Sequence, residues 1–116
     1  MISSKNLSAN MNLIEFKPLI DVLVNNLAGK EYDKIEQNKQ NGNIPMSHLI
    51  KRITETEDKI VSLPFDWIKE ALVYNIDDKR LDVYLSLWTT NGKSDLTLSL
   101  SCFYINNVPR IEINDL

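Results

Sequence analysis

Histidine, cysteine and glycine are scarce in this sequence of 116 residues, which holds one histidine, one cysteine and three glycines. The lone cysteine, Cys102, cannot form a disulfide within the chain, as is typical of proteins in a reducing cytoplasm. Gly29, Gly42 and Gly92 stand far apart, so the spacings of phosphate-binding and dinucleotide-binding loops are missing. His48 has no partner at catalytic or metal-binding spacing. We therefore expect no catalytic residue, no cofactor and no metal site.

The sequence also lacks a long hydrophobic run. Its most apolar stretch, residues 13–28, is interrupted by Glu15, Lys17, Pro18 and Asp21. A membrane-spanning helix needs about 20 nearly uninterrupted apolar residues, and no secretory signal is visible. The 43% hydrophobic and 25% charged composition is typical of one globular domain. These features predict a cytoplasmic protein that does not bind a membrane.

Negative charge is concentrated in the second half of the chain. Residues 1–53 hold seven Lys/Arg and five Asp/Glu, whereas residues 54–116 hold six Lys/Arg and eleven Asp/Glu. An acidic half repels phosphate backbones, which argues against direct nucleic-acid binding. The same charge attracts a basic protein and accelerates its association.

Helical patterns occupy the first part of the chain. The first helix is expected to begin near Lys17, with Pro18 in its first turn. A weaker helical segment covers about residues 31–39, and Ser47 is expected to cap the next helix. A short helical turn then places three apolar side chains on one side: Phe65, Ile68 and Leu72.

Strand patterns follow. Apolar and polar residues alternate from Arg80 to Thr89, and Asn91-Gly92 predicts a tight hairpin into a second alternating strand. Asn106-Asn107 marks a further turn, and Asp77-Asp78 ends a possible additional strand. The sequence thus predicts an α+β fold, with N-terminal helices packed on one face of a C-terminal antiparallel meander of three to four strands. Residues 1–11 are expected to be a flexible tail and residues 12–116 a single domain, with helices over about 17–72 and the sheet over about 73–114.

The polar side of the meander is the predicted binding surface. It carries aromatic rings among small polar residues and is expected to be mainly acidic and neutral, a composition typical of interface anchors. The predicted partner-binding residues are Asp78, Asp82, Tyr84, Trp88, Asp95, Phe103 and Glu112. In the alternative interpretation, the rings pair across strands or pack beneath other segments of the chain. Cys102 falls on the apolar side and is expected to be buried.

The hairpin carries a family resemblance. Its residues 83–89 (VYLSLWT), Gly92 and residues 94–98 (SDLTL) resemble a family of small uncharacterised bacterial proteins that share this LWT and SDLTL hairpin. The resemblance covers about residues 60–116 and implies a compact domain, without an activity. The whole chain also resembles the bacterial immunity proteins of contact-dependent growth inhibition in being small, acidic and free of catalytic motifs.

These observations favour a non-enzymatic immunity protein that neutralises a basic, nuclease-type protein toxin by covering its active site. One alternative is a self-associating structural domain, which would form a homodimer through the aromatic face or through an unpaired strand edge near 108–113. The other is an enzyme that uses three carboxylates: Asp78, Asp82 and Asp95.

Overall fold

The computed structural model describes residues 12–116, so the predicted tail, residues 1–11, lies outside the described residues. Three α-helices precede a five-stranded antiparallel sheet, as the predicted α+β fold requires. The helices are α1 (Leu13–Ala28), α2 (Tyr32–Gln37) and α3 (Met46–Thr54). The strands are β1 (Ile60–Val61), β2 (Leu72–Asp77), β3 (Arg80–Thr89), β4 (Gly92–Ile105) and β5 (Val108–Asp115). The fifth strand in this count is β1, a two-residue strand that sequence reasoning missed.

The two longest strands, β3 and β4, form the middle of the sheet. β5 lies along β4, while β1 and β2 share the other side of β3. β1 pairs with the end of β3 at Thr89, and β2 pairs with its first half. The chain between β1 and β2 contains a short 3-10 helix, Trp67–Glu70. The β4–β5 turn places Asn106 and Asn107 at φ values of 52° and 66°, a left-handed geometry that asparagine tolerates well.

One hydrophobic core lies between the helices and one face of the sheet. α1 contributes a stripe of buried side chains at helical spacing: Leu13, Phe16, Ile20, Leu23, Val24 and Leu27. The facing strands contribute Leu81, Val83, Leu85, Leu87, Leu98, Leu100, Cys102, Ile111 and Ile113. Burial of each large side chain contributes roughly 1.5–3 kcal/mol, which fixes the register of the strands. The predicted apolar face and the burial of Cys102 are both confirmed.

The first helix begins earlier than the sequence suggested. Asn12 caps α1, since its side chain accepts a hydrogen bond of 2.9 Å from the backbone N–H of Ile14. Pro18 therefore lies inside the helix rather than in its first turn. The cap and the buried side chains of Leu13 and Phe16 outweigh the loss of one N–H at the proline.

Two further helix predictions were wrong in detail. Pro45, not Ser47, occupies the cap position of α3, and Ser47 is exposed in the first turn. Near the 3-10 helix, Phe65 is 91% exposed whereas Trp67 is 5% exposed. The indole of Trp67 can be buried because its N–H finds a carboxylate on α1, as tryptophan requires. Leu72 belongs to β2 and is exposed.

The outer edge of β5 is not free. The backbone N–H of Ile113 donates a hydrogen bond of 2.7 Å to the carbonyl of Gln40, in the loop between α2 and α3. The guanidinium of Arg110 donates to the carbonyl of Asn38 at 3.4 Å. The edge expected to be unpaired near 108–113 is therefore paired at Ile113, where a loop distant in sequence contacts it.

Candidate protein-binding face of the sheet

The face of the sheet that points away from the helices is called the open face here. Its side chains form rows across the strands, because residues in register lie beside one another on the same face. One such row joins four strands, from β2 to β5: Tyr74, Asp82, Ser101 and Glu112. The core side chains of the described α-helices all pack against the opposite face. The open face is thus where the predicted partner-binding residues should be found.

Asp82 lies on the open face, but its carboxylate is already engaged. Arg80 donates to it through Nε at 2.9 Å and through Nη2 at 3.3 Å, and Ser101 Oγ lies 3.2 Å from Oδ1. This contact raises the pKa of Arg80, chiefly through the hydrogen bond to Asp82. The Asp82 side chain is only 14% exposed. We therefore expect Asp82 to hold neighbouring side chains of the open face in position rather than to contact a partner.

Tyr84 is half-buried and packs against a second tyrosine. The rings of Tyr74 and Tyr84 meet edge to face, with centroids 5.6 Å apart and planes at 83°. This arrangement is the preferred geometry of an aromatic pair on neighbouring strands. The alternative prediction, that the rings pair across strands, therefore describes Tyr84. No other segment covers this pair fully, because Tyr74 is 52% exposed.

Trp88 is also half-buried, near the hairpin end of β3. Nζ of Lys93 lies 5.9 Å from the centroid of its ring, within reach of a cation–π interaction. Lys93 is at the same time paired with Glu70 of the 3-10 helix. A cavity of about 130 Å³ lies between this helix and Trp88. The Trp88 ring is thus contacted by Lys93 of its own chain, and the space between it and the 3-10 helix is open.

The remaining predicted residues are dispersed. Phe103 is half-buried and stands in register between Arg80 and Arg110, so this row of the face is basic rather than acidic. Glu112 is half-buried beside the α2–α3 loop, where Gly42 approaches it. The arginines that pair or alternate with the carboxylates lie on the same face as those carboxylates, so the open face carries charges of both signs. The expectation of a mainly acidic and neutral face is therefore wrong.

Asp78 and Asp95 lie at opposite ends of the sheet. Asp78 is exposed in the turn between β2 and β3. Asp95 is exposed near the β3–β4 hairpin, in a groove that Arg52 also lines. Six residues of strand separate Asp95 from Ser101, the neighbour of Asp82, which corresponds to roughly 20 Å. The carboxylates of Asp78, Asp82 and Asp95 are therefore not brought together.

The apolar surface that sequence reasoning missed is β2. Every residue of this strand is exposed, including Leu72 at 58%, Tyr74 at 52% and Ile76 at 52%. Leu72 is in register with Tyr84, and Tyr74 packs against it. The open face therefore carries an aromatic strip along β2 and β3, which comprises Leu72, Tyr74, Tyr84 and Trp88. The signal in the sequence was the uncharged run of residues 71–76.

A second concave feature lies on the helix side. It is an open cleft of about 670 Å³ at the C-terminal ends of α1 and α3, beside β1. Its apolar floor is formed by Leu27, Ile53 and Ile60, and its rim carries charges of both signs. The exposed carbonyls of two helix ends favour cations there. Three separate segments build this cleft, so no local sequence pattern indicates it.

The titratable groups indicate little reactive chemistry. Burial raises the pKa of the Cys102 thiol to about 12, and the nearby charge of Asp82 adds to the effect, so the nucleophilic thiolate is disfavoured. Burial also raises the pKa of Tyr32. His48 is exposed on α3.

Among residues 12–116, no three His, Cys, Asp or Glu side chains are grouped closely enough to hold a metal ion. Over the same residues, no helix has the length and hydropathy that a membrane crossing requires.

Comparisons with known proteins give one match. No curated protein and no solved structure matches the chain. A family described as a domain of unknown function, DUF7668, matches residues 24–116, which include every strand, α2, α3 and the end of α1. The open face and the aromatic strip lie entirely within the matched residues. The chain therefore belongs to the DUF7668 family.

Proposed function

We propose that this chain is a non-enzymatic binding protein of the cytoplasm, and that it neutralises a basic, nuclease-type toxin by covering the toxin's active site. The observation that supports this function best is the aromatic strip, an accessible apolar surface on a sheet face that the described helices leave uncovered. Large aromatic side chains at the centre of a contact contribute most of the binding energy in protein complexes. The side chains of the strip are suited to binding another protein rather than to catalysing a reaction.

The charge of the domain supports a basic partner. Three carboxylates of residues 54–116 are ion-paired in the structure, namely Glu55, Glu70 and Asp82. Eight carboxylates of this half have no ion pair within the described part of the chain, against four such lysines and arginines. A surplus of negative charge steers a basic protein toward the domain.

In this proposal, two exposed carboxylates beside the aromatic strip contact the partner. Asp77 and Asp78 are exposed at the end of β2, next to the aromatic strip, so they can reach a basic surface that docks there. Asp82 is held by Arg80 and has little exposed surface. In this proposal, Tyr74, Tyr84 and Trp88 form the apolar anchor, with Asp77 and Asp78 at its rim. Asp95, Phe103 and Glu112 lie further away and are peripheral.

The test is protection from a toxin. The candidate toxin to test is the C-terminal domain of any large secreted exoprotein that proves to be encoded directly upstream of this gene. Cells that produce this domain should survive only when they also produce the chain, and calorimetry of the two purified proteins should give a tight one-to-one complex. If no complex forms and survival does not improve, the proposed function is wrong.

The aromatic strip can be tested with paired variants. Tyr74→Ala combined with Tyr84→Ala should weaken the complex by roughly 30- to 700-fold, the range expected for loss of central aromatic contacts. Phe65→Ala is the matched control, because Phe65 is a still more exposed ring on a different segment. Circular dichroism should show both variants folded. If the double variant and Phe65→Ala lose equal affinity for the toxin, the interface does not lie on the aromatic strip.

A carboxylate enzyme finds little support in this geometry. Its three candidate residues, Asp78, Asp82 and Asp95, occupy a turn, the middle of the face and the hairpin end. A pair of carboxylates must lie within about 10 Å to act on one bond. The roughly 20 Å between Asp82 and Asp95 exceeds that limit.

A further inference from the structure

β2 is an edge strand without the features that usually prevent edge pairing. It has six residues and pairs with β3 on one side, while its other side faces none of the described strands. Natural edge strands are protected by lysine, proline or charged side chains, or are covered by other segments. Residues 72–76 contain none of these residue types. The register shift near Asp77 affects only the last residues of the strand.

The opposite edge of the sheet is protected by contrast. β5 contains Pro109, Arg110 and Glu112, and the loop that carries Gln40 covers it through the hydrogen bond to Ile113. Gly42 of the same loop lies so close that a Cβ atom there would be 3.0 Å from the carbonyl oxygen of Ile113. The fold thus shields one long edge around Ile113 and by its sequence, and leaves the other, which is apolar, unshielded.

We propose that β2 binds β2 of a second copy of this chain, in antiparallel orientation across a twofold axis. A strand edge offers a row of backbone donors and acceptors that only another extended strand can satisfy completely. In the antiparallel arrangement, the apolar centre of one strand meets the apolar centre of the other, as a self-complementary interface requires. Side chains on both sides of β2 gain burial, because Val73 and Tyr74 point to opposite faces and are both exposed.

The charges at the two ends of β2 favour the same partner and orientation. Lys69 precedes the strand, and Asp77 and Asp78 end it. Antiparallel pairing places Lys69 of each copy near Asp77 and Asp78 of the other, whereas parallel pairing would bring like charges together. Lys69 makes no ion pair with the described residues, so it is free for this contact.

The expected dimer is weak and reversible. β2 supplies six residues from each copy, whereas a standard stable interface uses about 20–30 residues a side. We therefore expect a dissociation constant of about 10–500 µM. The dimer does not depend on the proposed toxin. It would join the two open faces into one continuous surface.

Sedimentation of the purified chain tests the dimer directly. Between about 1 µM and 500 µM, the average mass should rise from that of one chain toward that of two. Val73→Lys should abolish the rise, because it places a charge in the middle of the edge on the side away from Tyr74. Val108→Lys is the matched control, since Val108 is similarly exposed but lies on β5. It should leave the dimer unchanged.

A charge swap identifies the strand that pairs. Val73→Lys and Val73→Asp should each be monomeric, and an equal mixture of the two should form a heterodimer. If Val73→Lys is poorly folded, a short bismaleimide cross-linker provides a second measurement, since Cys102 is buried. Asn75→Cys should be cross-linked to a dimer and Val108→Cys should not.

Two results would overturn the proposal. One is a chain that stays monomeric at every concentration, with Asn75→Cys cross-linked no more than Val108→Cys. The other is a dimer that survives Val73→Lys, which would place the contact on another surface. Toxin binding by Val73→Lys should be retained, because the aromatic strip is unchanged. Loss of the dimer and loss of the toxin complex are therefore distinguishable.

Discussion

Nε1 of Trp67 donates a hydrogen bond of 2.8 Å to Oδ1 of Asp21, and this bond ties the segment before β2 to the middle of α1. The other carboxylate oxygen of Asp21 accepts a hydrogen bond of 2.7 Å from Nζ of Lys17. One oxygen of this carboxylate thus holds the 3-10 helix against the helical layer, while the other is paired with a lysine of the same helix. The strand that follows, β2, takes its position from this contact.

Trp67→Phe should lower the free energy of unfolding by about 0.5–1.5 kcal/mol beyond the change in apolar contact. The variant keeps an aromatic ring in a buried site and removes the donor to Asp21. Urea titration followed by circular dichroism measures the effect. Tyr74→Phe is the matched control, because its hydroxyl is on an exposed ring, and it should change the free energy little. Similar losses in both variants would contradict the role of the hydrogen bond.

Cys102 should make the stability fall at high pH. The pKa of its thiol is raised from an ordinary 9.0 to about 12 in the folded chain by burial. Below pH 9 the thiol is protonated in both states; between pH 9 and pH 12 only the unfolded chain releases the proton, so stability is lost as the pH rises. The slope should be about 1.4 kcal/mol per pH unit for this group.

The measurement is a series of urea titrations from pH 8 upward. Cys102→Ala should show a shallower decline than the parent chain, even though its stability at pH 8 is lower because of the cavity. Tyr32, whose pKa is also raised, remains in both proteins and does not affect the difference. Parallel slopes would show that the thiol is not the cause. The folded parent chain should also resist alkylation by iodoacetamide.

Ser101→Ala should disturb the centre of the open face. Ser101 Oγ accepts a hydrogen bond of 2.8 Å from Nδ2 of Asn114 and lies 3.2 Å from Asp82 Oδ1, and the residue is buried. Its loss should cost about 1–2 kcal/mol of unfolding free energy, since a polar group is left without its partner. Thr97→Ala, at an exposed position of the same strand face, is the control and should be close to neutral. Thermal unfolding compares the two.

Gly42→Ala should weaken the cover of the β5 edge. Gly42 has φ of +56°, and an added Cβ would lie 3.0 Å from the carbonyl oxygen of Ile113, so both backbone strain and crowding oppose the substitution. We expect a loss of about 1–3 kcal/mol and faster hydrogen exchange at the amide of Ile113. Gly29→Ala is the comparison, since Gly29 has φ of −87° and an added Cβ would lie 3.3 Å from the carbonyl oxygen of Asn25, so the substitution should cost less than Gly42→Ala. Unchanged exchange at Ile113 would show that the loop does not protect the edge.

The alternation in β3 and β4 made the sheet and its buried face predictable from the sequence. Leu81 to Leu87 and Leu98 to Cys102 follow a period of two, and burial of one face leaves a single register that satisfies all of them. The turn at Asn106-Asn107 was equally predictable, because asparagine readily takes the positive φ values observed.

The errors arose where distant segments decide the outcome. Phe65 and Trp67 are neighbouring aromatics in a short turn, and only the position of Asp21 on α1 determines which ring is buried. The cover of β5 by Gln40 joins residues more than seventy positions apart, and no local pattern reports it. The exposure of β2 depends on where the helical layer ends. The pairing of Arg80 with Asp82 depends on side-chain conformations that the alternation of the strand does not determine.

Among the described strands, β2 is the long one whose outer edge is left unshielded, and this limits how far association can proceed. Once two copies join through β2, that edge is used in each, and the β5 edges at the two outer sides are contacted by the Gln40 loop at Ile113. We therefore expect association to stop at the pair, without growth into a filament at high concentration. If the loop around Gln40 were removed, the same sheet would acquire a second template and could polymerise.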